Sequence, residues 1–85
     1  NYPNPFNSLT NISFQSMGRQ TARIMIADLQ GRIISSINSR YTNYGKNIIQ
    51  WNGLDKHGLE TPSGVYFYTV TIGEEKRNGK MLLIK

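Results

Sequence analysis

The chain has no cysteine, which excludes disulfides and thiolate metal sites. Its single histidine, His57, leaves zinc without the ligand set it needs. Long hydrophobic runs are also missing. No purely apolar stretch exceeds four residues, as at Met81 to Ile84, far below the roughly 20 residues of a membrane-spanning helix. Asn1-Tyr2-Pro3 has neither the basic start nor the apolar core of a signal peptide. The chain therefore reads as starting inside a longer protein, with any export signal upstream. No stretch keeps a helical 3.6-residue period long enough to make a helix. No nucleophile elbow, phosphate loop or dinucleotide fingerprint is present, and no cofactor is expected.

Acidic residues are scarce, five against ten Lys and Arg, for a net charge of +5. Such a balance favours anionic partners such as polysaccharide, lipopolysaccharide or nucleic acid. The cations are spread along the chain, however, and only Lys76 to Lys85 approaches a cluster. Solubility is the simpler reading, and a nucleic-acid interface is not expected.

What remains is enough for one thin core: 85 residues, 38% hydrophobic and 11% aromatic. Residues 1–85 read as a single domain. Asn1 to Ser8 forms an extended opening segment, with Pro3 and Pro5 fixing φ and Phe6 as a plug into the core, and with room for a short edge strand. Period-two alternation then marks strands at Thr10 to Gln15 and Thr21 to Asp28, with Ile12 and Phe14 inward on the first and Ala22, Ile24 and Ile26 inward on the second. Met17-Gly18-Arg19-Gln20 is the turn between them. Asp28-Leu29-Gln30-Gly31 is the next turn, followed by a strand from Arg32 to Ser39. Tyr41 to Lys46 reads as a polar loop closing on Gly45, ahead of a short strand from Asn47 to Trp51. The last two strands are Gly64 to Ile72, with Tyr66, Tyr68 and Val70 inward, and Lys76 to Ile84, loosened at Asn78-Gly79. The pattern predicts an all-β, immunoglobulin-like sandwich of about seven antiparallel strands. The final residue follows directly on the last strand, so the domain is expected to end its polypeptide.

Candidate chemistry concentrates between Trp51 and Tyr68. Ser63, His57 and Asp55 make a triad on paper, but Asp55 and His57 share a turn, so His57 reads as an exposed turn residue. Asn52, Asp55 and Glu60 supply oxygens of the kind calcium prefers, though Asp-x-x-Gly is more often a simple turn. Asn11-Ile12-Ser13 fits the glycosylation sequon but falls inside a strand. Trp51, Tyr41 and Tyr44 would form a sugar-stacking platform; the simpler reading has Trp51 sealing the core. Gly64-x-Tyr66 after a loop fits a tyrosine corner, with Tyr68 where immunoglobulin domains carry a cysteine.

Taken in order, Tyr2-Pro3-Asn4-Pro5-Phe6-Asn7, Thr10-x-Ile12-x-Phe14, Asp28-x-x-Gly31-Arg32, Trp51-Asn52-Gly53-x-Asp55-x-x-Gly58, Ser63-Gly64-Val65-Tyr66-Phe67-Tyr68 and Lys80 to Lys85 resemble the C-terminal sorting domain of type IX secretion substrates (type A). The resemblance covers essentially the whole chain. It implies an immunoglobulin-like domain following a larger cargo in a protein secreted by a Bacteroidetes-type bacterium. The partners it implies are the type IX outer-membrane translocon and a sortase-like protease that joins cargo to anionic lipopolysaccharide. The location it implies is the cell surface or medium, reached through the periplasm. Its signature places map onto Pro3, Asn4, Pro5, Phe6, Gly64, Tyr66, Lys80 and Lys85. Trp51, Gly53, Asp55, Gly58 and Tyr68 are assigned to architecture. The immunoglobulin-like module of flagellar hook-capping proteins shares the Trp-x-Gly-x-Asp-x-x-Gly and Ser-Gly-x-Tyr pieces.

An enzyme is not expected. The last strand and its lysines are expected to be the handle, through strand addition by a partner. Two further readings stay open: a module that self-associates through an edge strand to build a surface assembly, and a carbohydrate-binding module.

Overall fold

The computed structural model describes residues 9–39 and 41–84. Pro3, Asn4, Pro5 and Phe6, the short strand expected near them, and Lys85 lie outside the described residues.

Among the described residues there are six strands and no helix: β1 (Thr10–Met17), β2 (Ala22–Ala27), β3 (Ile33–Ser39), β4 (Tyr44–Trp51), β5 (Gly64–Ile72) and β6 (Glu75–Leu83). β1 pairs with β4 in one sheet, and the second sheet has the order β3-β2-β5-β6. Every pairing is antiparallel. The chain thus forms the all-β sandwich expected from its alternation.

Alternation decides which side chains meet between the sheets. β1 buries Ile12, Phe14 and Ser16, and β2 buries Ala22, Ile24 and Ile26. From β5 and β6 come Tyr66, Val70, Ile72, Met81 and Leu83. Ile24 and Ile26 are 0% exposed. Burial on that scale contributes about 1.5–3 kcal/mol for each such side chain. A bulge at Ile26/Ala27 pairs Ala27 with Ile33, so that Ile33 is exposed while Ile34 packs against the core.

Three details differ from the sequence reading. β4 begins at Tyr44 rather than Asn47, so the expected Tyr41–Lys46 loop is half strand. The Asn47 side-chain amide donates to the carbonyls of Asn43 (2.9 Å) and Gly45 (3.1 Å), and its oxygen accepts from the Asn43 amide. That holds a polar, turn-like stretch extended. β1 accordingly runs to Met17, which pairs with Tyr44, and the turn starts later, at Gly18. Finally, β6 is continuous through Asn78-Gly79. Gly79 pairs with Tyr68, and a Cβ there would lie 2.2 Å from Tyr68 Cζ. The tyrosine ring covers the glycine and supplies the packing that glycine lacks.

Candidate recognition surface

Two turns at one end of the sandwich are built alike. In Asp28-Leu29-Gln30-Gly31-Arg32, Asp28 Oδ1 accepts from the amides of Gln30 and Arg32, both at 3.0 Å. In Asp55-Lys56-His57-Gly58-Leu59, Asp55 Oδ1 accepts from those of His57 (2.8 Å) and Leu59 (2.9 Å). In each turn the glycine amide donates to the aspartate carbonyl, and the aspartate amide donates to the carbonyl four residues on. Gly31 and Gly58 hold φ of 83° and 80°, a left-handed conformation that disfavours a side chain at that position.

Asp-x-x-Gly is therefore a single device used twice. Partial burial pushes the Asp28 pKa up, but the Arg32 amide and guanidinium and the Gln30 amide hold the carboxyl below its usual range. Asp55 is held low foremost by the Leu59 amide, against partial burial, with help from the His57 amide and the charges of His57 and Lys56. Only the first turn adds an ion pair, Arg32 Nε to Asp28 Oδ2 at 2.9 Å.

Between the turns, four further side chains bond to nearby groups of the fold. Trp51 is 1% exposed, and its Nε1 donates to the Leu54 carbonyl at 3.0 Å. Its ring meets that of Tyr66 edge-on, with centroids 5.1 Å apart. Tyr66 Oη donates to the Pro62 carbonyl at 2.5 Å, the bond of a tyrosine corner. Thr61 donates to the Gly53 carbonyl through both its amide and its hydroxyl. Asn52 Oδ1 accepts from the Leu54 amide. Asn52 Oδ1 and Asp55 Oδ1, among the oxygens considered for calcium, thus serve backbone amides, and His57 is exposed. The described residues include no group of three or more His, Cys, Asp or Glu placed to hold a metal. A shallow groove of about 340 Å³ lies between the two turns, with Asp28, Asp55, Pro62 and Tyr66 in its walls.

The four sheet margins differ more than this end does. The Arg77 guanidinium donates to Gln15 O of β1 at 3.3 Å. On β3, Ile34 O accepts from the Lys56 amide at 2.7 Å. The Asn47 side chain occupies the carbonyl of Gly45 on β4 and that of Asn43 just before it. β6 pairs with β5 on one side only, and among the described residues no further backbone bond is found from Glu75 to Leu83. Lys80 stands on this strand, exposed and opposite Phe67. Gly64 opens β5 opposite Leu83, and Tyr66 faces Met81. Lys80 thus stands one step along the ladder from the Tyr66–Met81 pair, exposed where Tyr66 is buried. The uneven capping of the edges was not foreseen in the sequence; Asn43 and Asn47, four apart around a glycine, were the available sign.

Over residues 1–85 the sequence matches the family of secretion system C-terminal sorting domains. The chain belongs to that family. Sorting domains of this kind, those of type IX, are secretion signals, and membership implies export to the cell surface or medium. The family is not known as catalytic. No curated protein sequence matches this sorting domain. Among solved structures, the flagellar hook-capping protein FlgD from P. aeruginosa is similar, with a TM-score of 0.68 and 18% identity. The match takes in 89% of the sorting domain but 60% of that FlgD chain, and at this identity it bears on the fold alone. No helix of the described residues is long and apolar enough to cross a membrane.

Proposed function

We propose that this chain is a non-catalytic address that takes an upstream cargo through the type IX outer-membrane translocon, and that the open edge of β6 is the part the machinery holds. Family membership supports the first half. The second rests on one observation: among the described residues, β1, β3 and β4 each have a backbone carbonyl (Gln15, Ile34 and Gly45) bonded to a group outside the strand pairing, while β6 is paired on one side only and no such bond is described on it. An unpaired strand edge is a template for strand addition, which gives affinity through the backbone and specificity through alternate side chains.

The test is a reporter fused to the chain in a type IX-competent host. Export that depends on both the chain and the translocon is the expected result. A folded fusion retained in the periplasm would sink the reading. Deleting residues 80–85 would also remove Met81 and Leu83 from the core, so it confuses handle with fold. Serine at Lys76, Lys80 and Leu82 leaves the core intact, and is expected to block export where serine at Lys46 and Ile48, on the other sheet, does not.

A further inference from the structure

The outward positions of β6 are Lys76, Asn78, Lys80 and Leu82, all exposed. Across β5 they face Thr71, Thr69, Phe67 and Val65, and β2 continues the first three rows with Arg23, Met25 and Ala27. No outward position on these strands is acidic. Among the described residues the ion pairs are Arg32–Asp28 and Arg77–Glu75, and neither involves Lys76 or Lys80. Asn78 is occupied by the Thr69 hydroxyl at 2.9 Å. Leu82 is 57% exposed and Phe67 41%. An arriving strand would thus meet two lysines four residues apart without a described counter-ion, and an apolar step beyond them.

We infer that β6 takes a partner strand carrying acidic side chains opposite Lys76 and Lys80 and an apolar side chain opposite Leu82. Directly opposed residues on paired strands lie close enough for charge to favour or disfavour the pairing. The partner strand therefore alternates, with two acids four residues apart and an apolar residue two beyond the acid that meets Lys80. A second copy of this chain is the wrong partner. Antiparallel pairing of two β6 strands, in registers centred on residues 76 to 80, sets a lysine opposite or diagonally beside another lysine. A lipid surface fits poorly too. The cations and Leu82 lie along one strand whose far side is unpaired among the described residues, and a polypeptide backbone is what matches such an edge. This inference deepens the sorting reading, on which its biological setting rests.

The probe is a nine-residue peptide with Leu at its first and ninth positions, Glu at its third and seventh, and Thr elsewhere, which reads alike in either direction. Titrated into the isotope-labelled chain, it is expected to shift the amides of Glu75 to Leu83. It is expected to bind about tenfold more tightly than the same peptide with Lys for Glu. Lys76→Glu with Lys80→Glu is expected to reverse that preference. Equal binding of the two peptides, or shifts confined to other strands, would overturn the inference while leaving export of the reporter as a separate result. A reporter that stays behind despite clear peptide discrimination would overturn the sorting reading and leave the edge chemistry standing.

Discussion

The end of the sandwich that holds Trp51, Asp55 and Tyr66 and the margin formed by β6 follow opposite rules. At the first, side-chain polar groups bond inward: Asp28 and Asp55 to turn amides, Asn52 to Leu54, Thr61 to Gly53, Tyr66 to Pro62 and Trp51 to Leu54. At the second, Lys76, Lys80 and Leu82 face outward from a strand paired on one side. The end richest in motifs is thus devoted to holding itself together. Capacity for a partner lies where the motifs are thinner, because a group already bonded inside the fold has little left to offer from outside.

The comparison breaks if the inward-bonded end proves dispensable. Trp51→Ala is the most severe test, since it empties the largest core position. It is expected to lose about 3–5 kcal/mol in urea denaturation. Gly79→Ala drives a methyl into the Tyr68 ring and is expected to lose about 1–3 kcal/mol, with weakened amide protection along β6. Tyr66→Phe removes the bond to Pro62 alone and is expected to lower stability by about 1 kcal/mol in the same denaturation assay.

A gentler probe is acid. Asp28 and Asp55 have folded pKa values below those of the unfolded chain, so their contribution is complete above about pH 4, the unfolded carboxylate value, and is lost as pH falls through the lower folded values. The thermal midpoint should decline across that window, and less so in Asp55→Asn. Smallest in stability, and sharpest for the contrast, is Lys76→Glu with Lys80→Glu. It should leave stability within about 0.5 kcal/mol while abolishing export of the reporter.

Strand placement was legible because Ile, Val, Phe and Tyr recur with period two and the turns carry Gly. β2 needs no information beyond that alternation, whereas β5 is apolar on both faces from Val65 to Tyr68 and its inward side is not set by period alone. The Trp51–Tyr66 contact was half legible: both rings could be assigned inward, but not their meeting edge-on. Tyr44 to Lys46 was misread because Asn and Gly are turn formers, and what holds them in a strand is a side-chain bond from Asn47, an interaction without a periodic signature. Gly79 was read as slack for a similar reason. Its justification sits on the neighbouring strand, in Tyr68, where no local pattern reaches. The open edge of β6 is a property of sheet order, which strand patterns alone do not fix.

Met81 and Leu83, deep between the sheets, carry a consequence in time. They follow every other residue of the buried core in chain order, yet Met81 lies opposite Tyr66, and Leu83 fills a place in the same core as Ile24 and Trp51. Until the ribosome has added them, one wall of that core is missing, and the β1–β4 and β2–β5 pairings must form across long stretches of chain without it. Closure of the sandwich thus waits on completion of the strand that carries Lys80. The exposed lysines reach their folded setting only when the core behind them is filled, so the edge reports that the domain is finished.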